Sequence, residues 1–310
     1  MSKFLVTGGA GFIGSHIVEE LVSRKHFVRI LDNFSSGKIN NLEKVSGKIE
    51  IIKGDIRSVG DCNKACAGID FVLHQAALRS VPKSMKNPEE YNDVNITGTL
   101  NVLQAALSSK VKRFVFASSS SVYGDVKSFP EKEDFIPQLI SPYALSKLAG
   151  EYYCRIFSLN YGLETACLRY FNVFGERQAL DDEYAVVIPK FISCMLNNEN
   201  PPIFGTGKQS RDFTYVKNVV NANLLAASKP GLKGDVFNVA SGKDYSVLEL
   251  VKFLNQILKK DIKPLFLKPR QGDVFKTNAS LLKIKKMLGF SPKISFIEGL
   301  KLTVEYFKNK

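Results

Sequence analysis

The run Lys3–Thr7 (KFLVT) is short and apolar, and it leads into Thr7-Gly8-Gly9-Ala10-Gly11-Phe12-Ile13-Gly14. Phe12–Arg24 then puts Ile13, Ile17, Val18, Leu21 and Val22 on one helical face. A strand joined to a helix through glycines at 8, 11 and 14 leaves few folds open. Glycine at 8 allows a tight turn, at 11 the close approach of a ligand, and at 14 a helix lying near its strand. The turn also opens a helix, whose free N–H groups and positive dipole end favour phosphate. The next run, Phe27–Leu31 (FVRIL), is followed by Asp32. A carboxylate there accepts adenosine ribose hydroxyls and repels a 2′-phosphate, so the pattern predicts a dinucleotide site for NAD rather than NADP. Asp55-Ile56, after the third run, falls where the adenine edge would lie.

Further strand-like runs are Ile49–Lys53, Phe71–His74 and Arg113–Ala117, with helix-compatible stretches near 58–67 and 88–108. These runs are apolar on both faces, as in a parallel sheet covered by helices on two sides. The alternation predicts an α/β fold, a doubly wound parallel sheet of the Rossmann type. Ser141–Tyr161 reads as a helix with Ser141 as N-cap and Pro142 in the first turn. After about residue 172 the pattern breaks into shorter pieces. Helices are expected at 184–197, 216–228, 246–259 and 296–308, and strands near 203, 213, 236 and 264. The expected division is a dinucleotide-binding domain at 1–170 and a smaller C-terminal α/β lobe at 171–310. Some strands of that lobe are expected to return to the main sheet.

Charge narrows the partners. Lys plus Arg number 43 against 30 Asp plus Glu, a net +13. Residues 251–310 hold 14 basic and four acidic side chains, so +10 of that excess lies in the last fifth of the chain. Without a nucleic-acid motif or interleaved aromatics, no nucleic acid is expected as partner. No apolar run nears the ~20 residues that span a bilayer, and the N-terminal stretch is too short for a signal peptide, so no membrane is expected. Five scattered cysteines fit reduced thiols and a cytoplasmic protein. Cys62 and Cys66 have the wrong spacing for a CxxC pair, and no metal site is expected.

Tyr143 and Lys147 lie four apart on one predicted helix, one turn from each other on the same face. A tyrosine of reference pKa ~10 is a poor base near neutrality. A neighbouring ammonium and a cationic nicotinamide are expected to lower that value. Ser119, at the end of the Arg113 strand, is placed to hydrogen-bond a substrate hydroxyl while Tyr143 takes its proton.

The spacing GxxGxxG resembles the extended short-chain dehydrogenases/reductases. His74-Gln75-Ala76-Ala77, Asn95, Ser118–Gly124 (SSSSVYG), Tyr143–Lys147 (YALSK), Arg169–Gly175 (RYFNVFG), Ser210–Tyr215 (SRDFTY) and Arg270–Val274 (RQGDV) follow in register. Together they resemble the nucleotide-sugar epimerases and dehydratases of that superfamily, most of all the UDP-N-acetylglucosamine and UDP-glucose 4-epimerases. The resemblance implies catalysis by Ser119, Tyr143 and Lys147. It implies NAD contacts at Gly8, Gly11, Phe12, Ile13, Gly14, Asp32, Asn33, Gly37, Asp55, Ile56, Gln75, Ala76, Ala77, Asn95, Tyr143, Lys147 and Tyr170. For a UDP-sugar it implies Arg79, Ser80, Ser119, Ser120, Ser121, Tyr143, Asn172, Gln178, Val187, Ile188, Arg211, Arg270, Asp273 and Thr277. Arg211 and Arg270 would clamp the diphosphate, Asp273 the ribose, and Asn172 a phosphate or sugar oxygen.

Dehydratases of the family carry Asp-Glu before VYG, and decarboxylases a Glu. Ser120 and Ser121 stand there in this chain. The implied reaction is therefore C4 oxidation, rotation of the bound 4-keto sugar and return of hydride, with NAD recycled. Thr277 stands at the position of the family's gatekeeper, where a small side chain leaves room for an acetamide. Arg79 replaces the Gly of the N-acetyl-selective group, and Val186 replaces a smaller residue. A UDP-uronic acid 4-epimerase, a dehydratase or decarboxylase, and a non-catalytic NAD sensor remain as alternatives. The helices at 88–108 and 141–161 are expected to form a homodimer interface, as is common in the family.

Overall fold

β1 (Lys3–Thr7), β2 (Phe27–Asp32), β3 (Glu50–Lys53), β4 (Phe71–His74), β5 (Arg113–Ser119) and β6 (Glu164–Tyr170) are parallel strands of one sheet. Helices α1 (Phe12–Ser23), α2 (Val59–Cys66), α3 (Val81–Lys86), α4 (Pro88–Tyr91), α5 (Gly98–Ser108) and α6 (Pro142–Tyr161) lie between them. Beyond β6 come β7 (Val173–Phe174), α7 (Val187–Leu196), β8 (Pro202–Phe204), β9 (Ser210–Asp212), β10 (Thr214–Tyr215), α8 (Val216–Ser228), β11 (Lys233–Val239), β12 (Asp244–Ser246), α9 (Val247–Leu258), β13 (Leu265–Leu267), α10 (Leu282–Leu288) and α11 (Phe296–Lys308). The structure is a computed structural model that describes residues 1–179, 187–269 and 274–309.

The sheet runs β11-β6-β5-β4-β1-β2-β3, with β11 parallel to β6. Strand order reverses between β1 and β4, which opens a crevice beyond their C-terminal ends. One face is covered by Ile17, Val18 and Leu21 of α1 and by Val219, Ala222 and Ala226 of α8. The other is covered by Cys62 and Cys66 of α2, Val102, Leu103 and Ala106 of α5, and Phe157 of α6. A separate core holds Phe174, Phe191, Phe213, Leu250, Phe296 and Phe307 and builds the second lobe. The chain from 171 onward therefore serves both bodies: α8 and β11 belong to the main sheet, while α7, α9 and α11 build the lobe.

The hydroxyl oxygen of Ser141 accepts the Ala144 N–H at 3.2 Å, and α6 ends at Gly162 with φ +75°. Such a cap is worth about 1 kcal/mol and fixes where the helix carrying Tyr143 begins. Several elements differ from expectation, among them the unexpected β7, β12 and α10. The helix expected over 88–108 is broken into α4, one π turn over Asn92–Thr97, and α5, and the π turn buries Asn95. The strand expected near 213 is two short strands, β9 and β10. β6 was not expected at all; it pairs with β5 on one side and β11 on the other. All five cysteines are free and buried. Among the described residues no helix is long and apolar enough to cross a membrane.

Candidate active site

Gly8 follows β1 with φ +66°, and its N–H donates to Leu31 O at 2.8 Å. A Cβ there would sit 2.8 Å from Ala76 N, so the turn can press against the loop leaving β4 only as glycine. At Gly14 a Cβ would lie 2.1 Å from Gly8 O, so α1 rests directly on the turn. Gly11 is the N-cap of α1 and has no side chain to close the helix end. The first-turn N–H groups of Phe12, Ile13 and Gly14 are therefore available to an anion. This glycine-lined cradle over an open helix end fits a dinucleotide pyrophosphate.

Asp32 is buried at the end of β2. Its carboxylate oxygens accept Ala10 N–H and Phe34 N–H, each at 2.8 Å, and Gly37 lies against it. Asn33 donates through Nδ2 to Asp55 at 2.8 Å, and the Arg57 guanidinium holds the Asp55 carboxyl well below the usual carboxylate range. Ile56 departs from expectation. Its side chain is buried in the core beside Gly98, where it packs.

The loop 75–79 is held by polar side chains from distant parts of the chain. Gln75 donates to Asn223 Oδ1 at 3.1 Å and accepts the Tyr170 hydroxyl at 3.2 Å. Below it, His74 is sealed in the sheet, where burial pulls its pKa down to about 3 with help from the Lys147 charge. Thr99 donates its hydroxyl hydrogen to Asn95 O at 2.6 Å, so it accepts from His74 Nε2 at 3.0 Å. Nδ1 is then the acceptor for the Thr7 hydroxyl at 2.7 Å, and Thr7 in turn accepts Ala76 N–H at 3.2 Å. Asn95 also departs from expectation. Its amide is taken up by Leu78 N–H (2.8 Å), Leu78 O (2.9 Å) and Ser146 Oγ (3.0 Å), so it fixes the loop through Ala77 and Leu78.

Ser119 closes β5, accepts Ser121 N–H at 3.2 Å, and is hydrogen-bonded to the Tyr143 hydroxyl. Lys147, one turn along α6, is buried; its Nζ donates to Ala117 O at 2.9 Å and lies 5.9 Å from the Tyr143 ring centroid. The expected lowering of the tyrosine pKa is not what the ligand-free site produces. Burial pushes the Tyr143 hydroxyl above its ordinary value, and nearby Tyr91 adds to the rise. The Ser119 hydrogen bond and the Arg79 charge only partly oppose it. Burial also pulls the Lys147 ammonium down to about 8, against the pull of Glu151. Ser120 begins the short helical turn 120–123, and Ser121 Oγ is buried with no partner among the described residues. That orphaned hydroxyl, two residues from Ser119, fits a polar group of a ligand.

On the lobe side, Arg211 Nη1 donates to Ser210 O at 2.9 Å and to Phe275 O at 3.3 Å. Thr277 Oγ1 accepts Asp212 N–H at 3.2 Å and Asn172 Nδ2 at 3.0 Å. Asn172 Nδ2 donates to Asp212 O as well, so both its amide hydrogens are in use and neither is free for a phosphate. Gln178 donates to Val173 O at 3.1 Å and keeps a buried Oε1 with no partner among the described residues. The Ile188 side chain is fully buried in the lobe core, and Val187 packs on that core. Ser80 caps α3 and donates its N–H to Tyr91, while exposed Arg79 stands beside Tyr143. Arg270, Asp273 and Val186 lie outside the described residues.

Three residues that matter here were missed. Asn223 holds Gln75 from 148 positions away, and nothing near it in sequence marks it. Arg169 was read only as part of a motif, yet it is a buried cation paired to Glu151. Glu151 could have been found, since Tyr143, Lys147 and Glu151 repeat every four residues on one helix.

A dinucleotide crevice with a Ser-Tyr-Lys set at its mouth and a second lobe beside it defines an NAD-dependent enzyme acting on a hydroxyl group. The chain belongs to the NAD dependent epimerase/dehydratase family, whose model matches residues 4–240. It is 41% identical over 307 residues to a putative UDP-glucose 4-epimerase of Methanocaldococcus jannaschii, with 98% of each chain covered. The UDP-N-acetylglucosamine 4-epimerase of Methanobrevibacter ruminantium M1, solved with UDP-N-acetylmuramic acid, superposes with a TM-score of 0.95 at 42% identity, covering 99% of this chain and 98% of that one. The UDP-glucose 4-epimerase of Thermotoga maritima, solved with UDP-glucose, gives 0.94 at 41% identity with 99% of each covered.

Proposed function

We propose that this chain is a UDP-hexose 4-epimerase. The observation that carries the reading is the Ser119–Tyr143 pair over buried Lys147 at the dinucleotide crevice, with serines at 120 and 121 where an eliminating enzyme needs an acid. Gly8, Gly11 and Gly14, the open end of α1 and Asp32 would hold NAD, which would supply the hydride acceptor for C4 and the donor for its return. Tyr143 takes the O4 proton, and Ser119 keeps that hydroxyl in line. Because the ligand-free phenol is pushed up, the charges that arrive with the ligands, added to Lys147 and Arg79, make it a base. With serines and not an acid at 120 and 121, the C5 proton is left in place, and the 4-keto sugar turns over in the site.

We assign dinucleotide binding and proton transfer to residues 1–170 and the substrate nucleotide to most of 171–310, with α8 and β11 serving the main sheet. Arg79 favours a second reading of the sugar. A cation whose charge reaches Tyr143 suits a carboxylate-bearing hexose. Leu145, Tyr152, Ile156 and Leu159, all exposed, form one stripe along α6 and support a homodimer through this helix. Buried reduced thiols suit the cytoplasm.

The test is incubation with UDP-N-acetylglucosamine, UDP-glucose and UDP-glucuronate separately, with products read by NMR. The expected result is the C4 epimer of at least one sugar, no net NADH, and loss of turnover in Tyr143→Phe by about 10²-fold or more. A dehydrated or decarboxylated product, or accumulating NADH, overturns the reading. Arg79→Gly should shift the kcat/KM ratio toward the N-acetylated or neutral sugar, and an unchanged ratio discards a role for Arg79 in selection.

A further inference from the structure

Tyr143, Lys147 and Glu151 repeat at four-residue spacing, so the three side chains stack along the face of α6 that meets β5 and β6. Glu151 is almost wholly buried. One of its oxygens accepts Ser118 Oγ at 2.5 Å and Arg169 Nε at 2.9 Å, and the other accepts Arg169 Nη2 at 2.8 Å. Ser118 sits between Ala117, whose carbonyl holds the Lys147 ammonium, and Ser119, which holds Tyr143. Thus one carboxylate grips the end of β5 at the residue between the two groups that the proton transfer uses.

We propose that Glu151 is a positioning residue for the proton transfer: it pins the end of β5 through Ser118 and supplies the counter-charge that keeps buried Lys147 an ammonium. The inference rests on the epimerase reading above. Other groups around this pair do not supply that charge. His74 of β4 is neutral, Cys167 of β6 is pushed well up by burial, and Tyr123 of the turn after β5 is pushed up too, its ring under the Arg169 cation at 4.7 Å. Arg169 of β6 is itself a cation, paired through Nε and Nη2 to Glu151. Burial already brings Lys147 down to about 8, and Glu151 is the neighbour that opposes the fall. Removing the carboxylate leaves Lys147 and Arg169 as two buried cations without their shared counter-charge.

The experiment is kcat against pH for the holoenzyme, using whichever of UDP-N-acetylglucosamine, UDP-glucose and UDP-glucuronate is turned over fastest. In Glu151→Gln the basic limb should move to lower pH by about one unit or more, with the sugar KM unchanged. Glu151→Gln/Arg169→Met removes the whole ion pair and should show the same downward shift of the limb. It also serves if the single variant does not fold. Glu151→Asp should restore the limb. A purely structural role lowers kcat at every pH and leaves the limb in place, so a limb coincident with wild type in the variants lacking the carboxylate overturns the proposal. Lys147→Ala separates the two readings: wild-type turnover there overturns the epimerase mechanism, whereas an inactive Lys147→Ala beside an unshifted Glu151→Gln overturns only the role of Glu151.

Discussion

Gly14→Ala tests the cofactor cradle through a single methyl group. The new Cβ would stand 2.1 Å from Gly8 O and 2.9 Å from both Gly8 C and Gly9 Cα, where ordinary contact begins at 3.4 Å. About 1.3 Å must therefore open between α1 and the turn. The turn cannot yield cheaply. Gly8 donates to Leu31 O at 2.8 Å, accepts Gly11 N–H at 3.1 Å, and lies against the backbone of Ala76. The helix cannot yield freely either, because Ile17, Val18 and Leu21 are fully buried in the core beneath it. Alanine gains about 0.5–1 kcal/mol over glycine inside a helix. Against that stand about 1–3 kcal/mol of overpacking and about 1 kcal/mol for the Gly11–Gly8 hydrogen bond if the turn opens. The net expectation is a loss of about 1–3 kcal/mol in stability by these ranges. The larger effect falls on NAD, since displacing the end of α1 by about 1 Å misdirects the N–H groups that meet the pyrophosphate, a shift that costs on the order of 10²-fold. The assay is NAD released per chain from acid-denatured protein, with urea unfolding on the same sample. A Gly14→Ala protein with wild-type NAD content and an unchanged unfolding midpoint refutes the close-contact argument.

Burial raises the Glu131 carboxyl to about 7, well above its unfolded value, so its stabilising contribution is full below about pH 4.5 and is lost as pH rises through 7. Glu131→Gln should therefore raise the unfolding free energy more at pH 8 than at pH 5, by at most about 3 kcal/mol at the higher pH, read from urea unfolding; an equal effect at both refutes this. In the α6 stripe, Ile156→Lys with Leu159→Lys puts two charges into the face assigned to the dimer. A monomer by light scattering is expected, and wild-type mass for the variant removes α6 from the interface.

How much was legible follows from where each residue finds its partner. The β1–glycine–α1 unit could be read because strand, turn and helix are adjacent, and Gly11 and Gly14 answer to atoms of the same turn. Tyr143 and Lys147 could be read for the same reason, being one turn apart. β6 escaped because ETACLRY has no alternation and carries Glu164 and Arg169. Both polar ends make sense only when Glu164 meets Arg113 on β5 and Arg169 meets Glu151 on α6. Motif matching supplied the identity of Asn95, Asn172, Ile56 and Ile188, but not which of their atoms were already in use. An amide has few hydrogens, and the backbone of Leu78 and Asp212 takes them first. The tyrosine shows the same limit in electrostatic form. Spacing places an ammonium nearby, yet the sign of the shift is set by burial, with Tyr91 adding to it and Arg79 opposing it from 52 and 64 positions away. A polar residue inside a fold is thus legible from sequence when its partner is local. When its partner is distant, the same residue reads as a break in the pattern, and such breaks, at Arg169 and Glu151, are where this site is built.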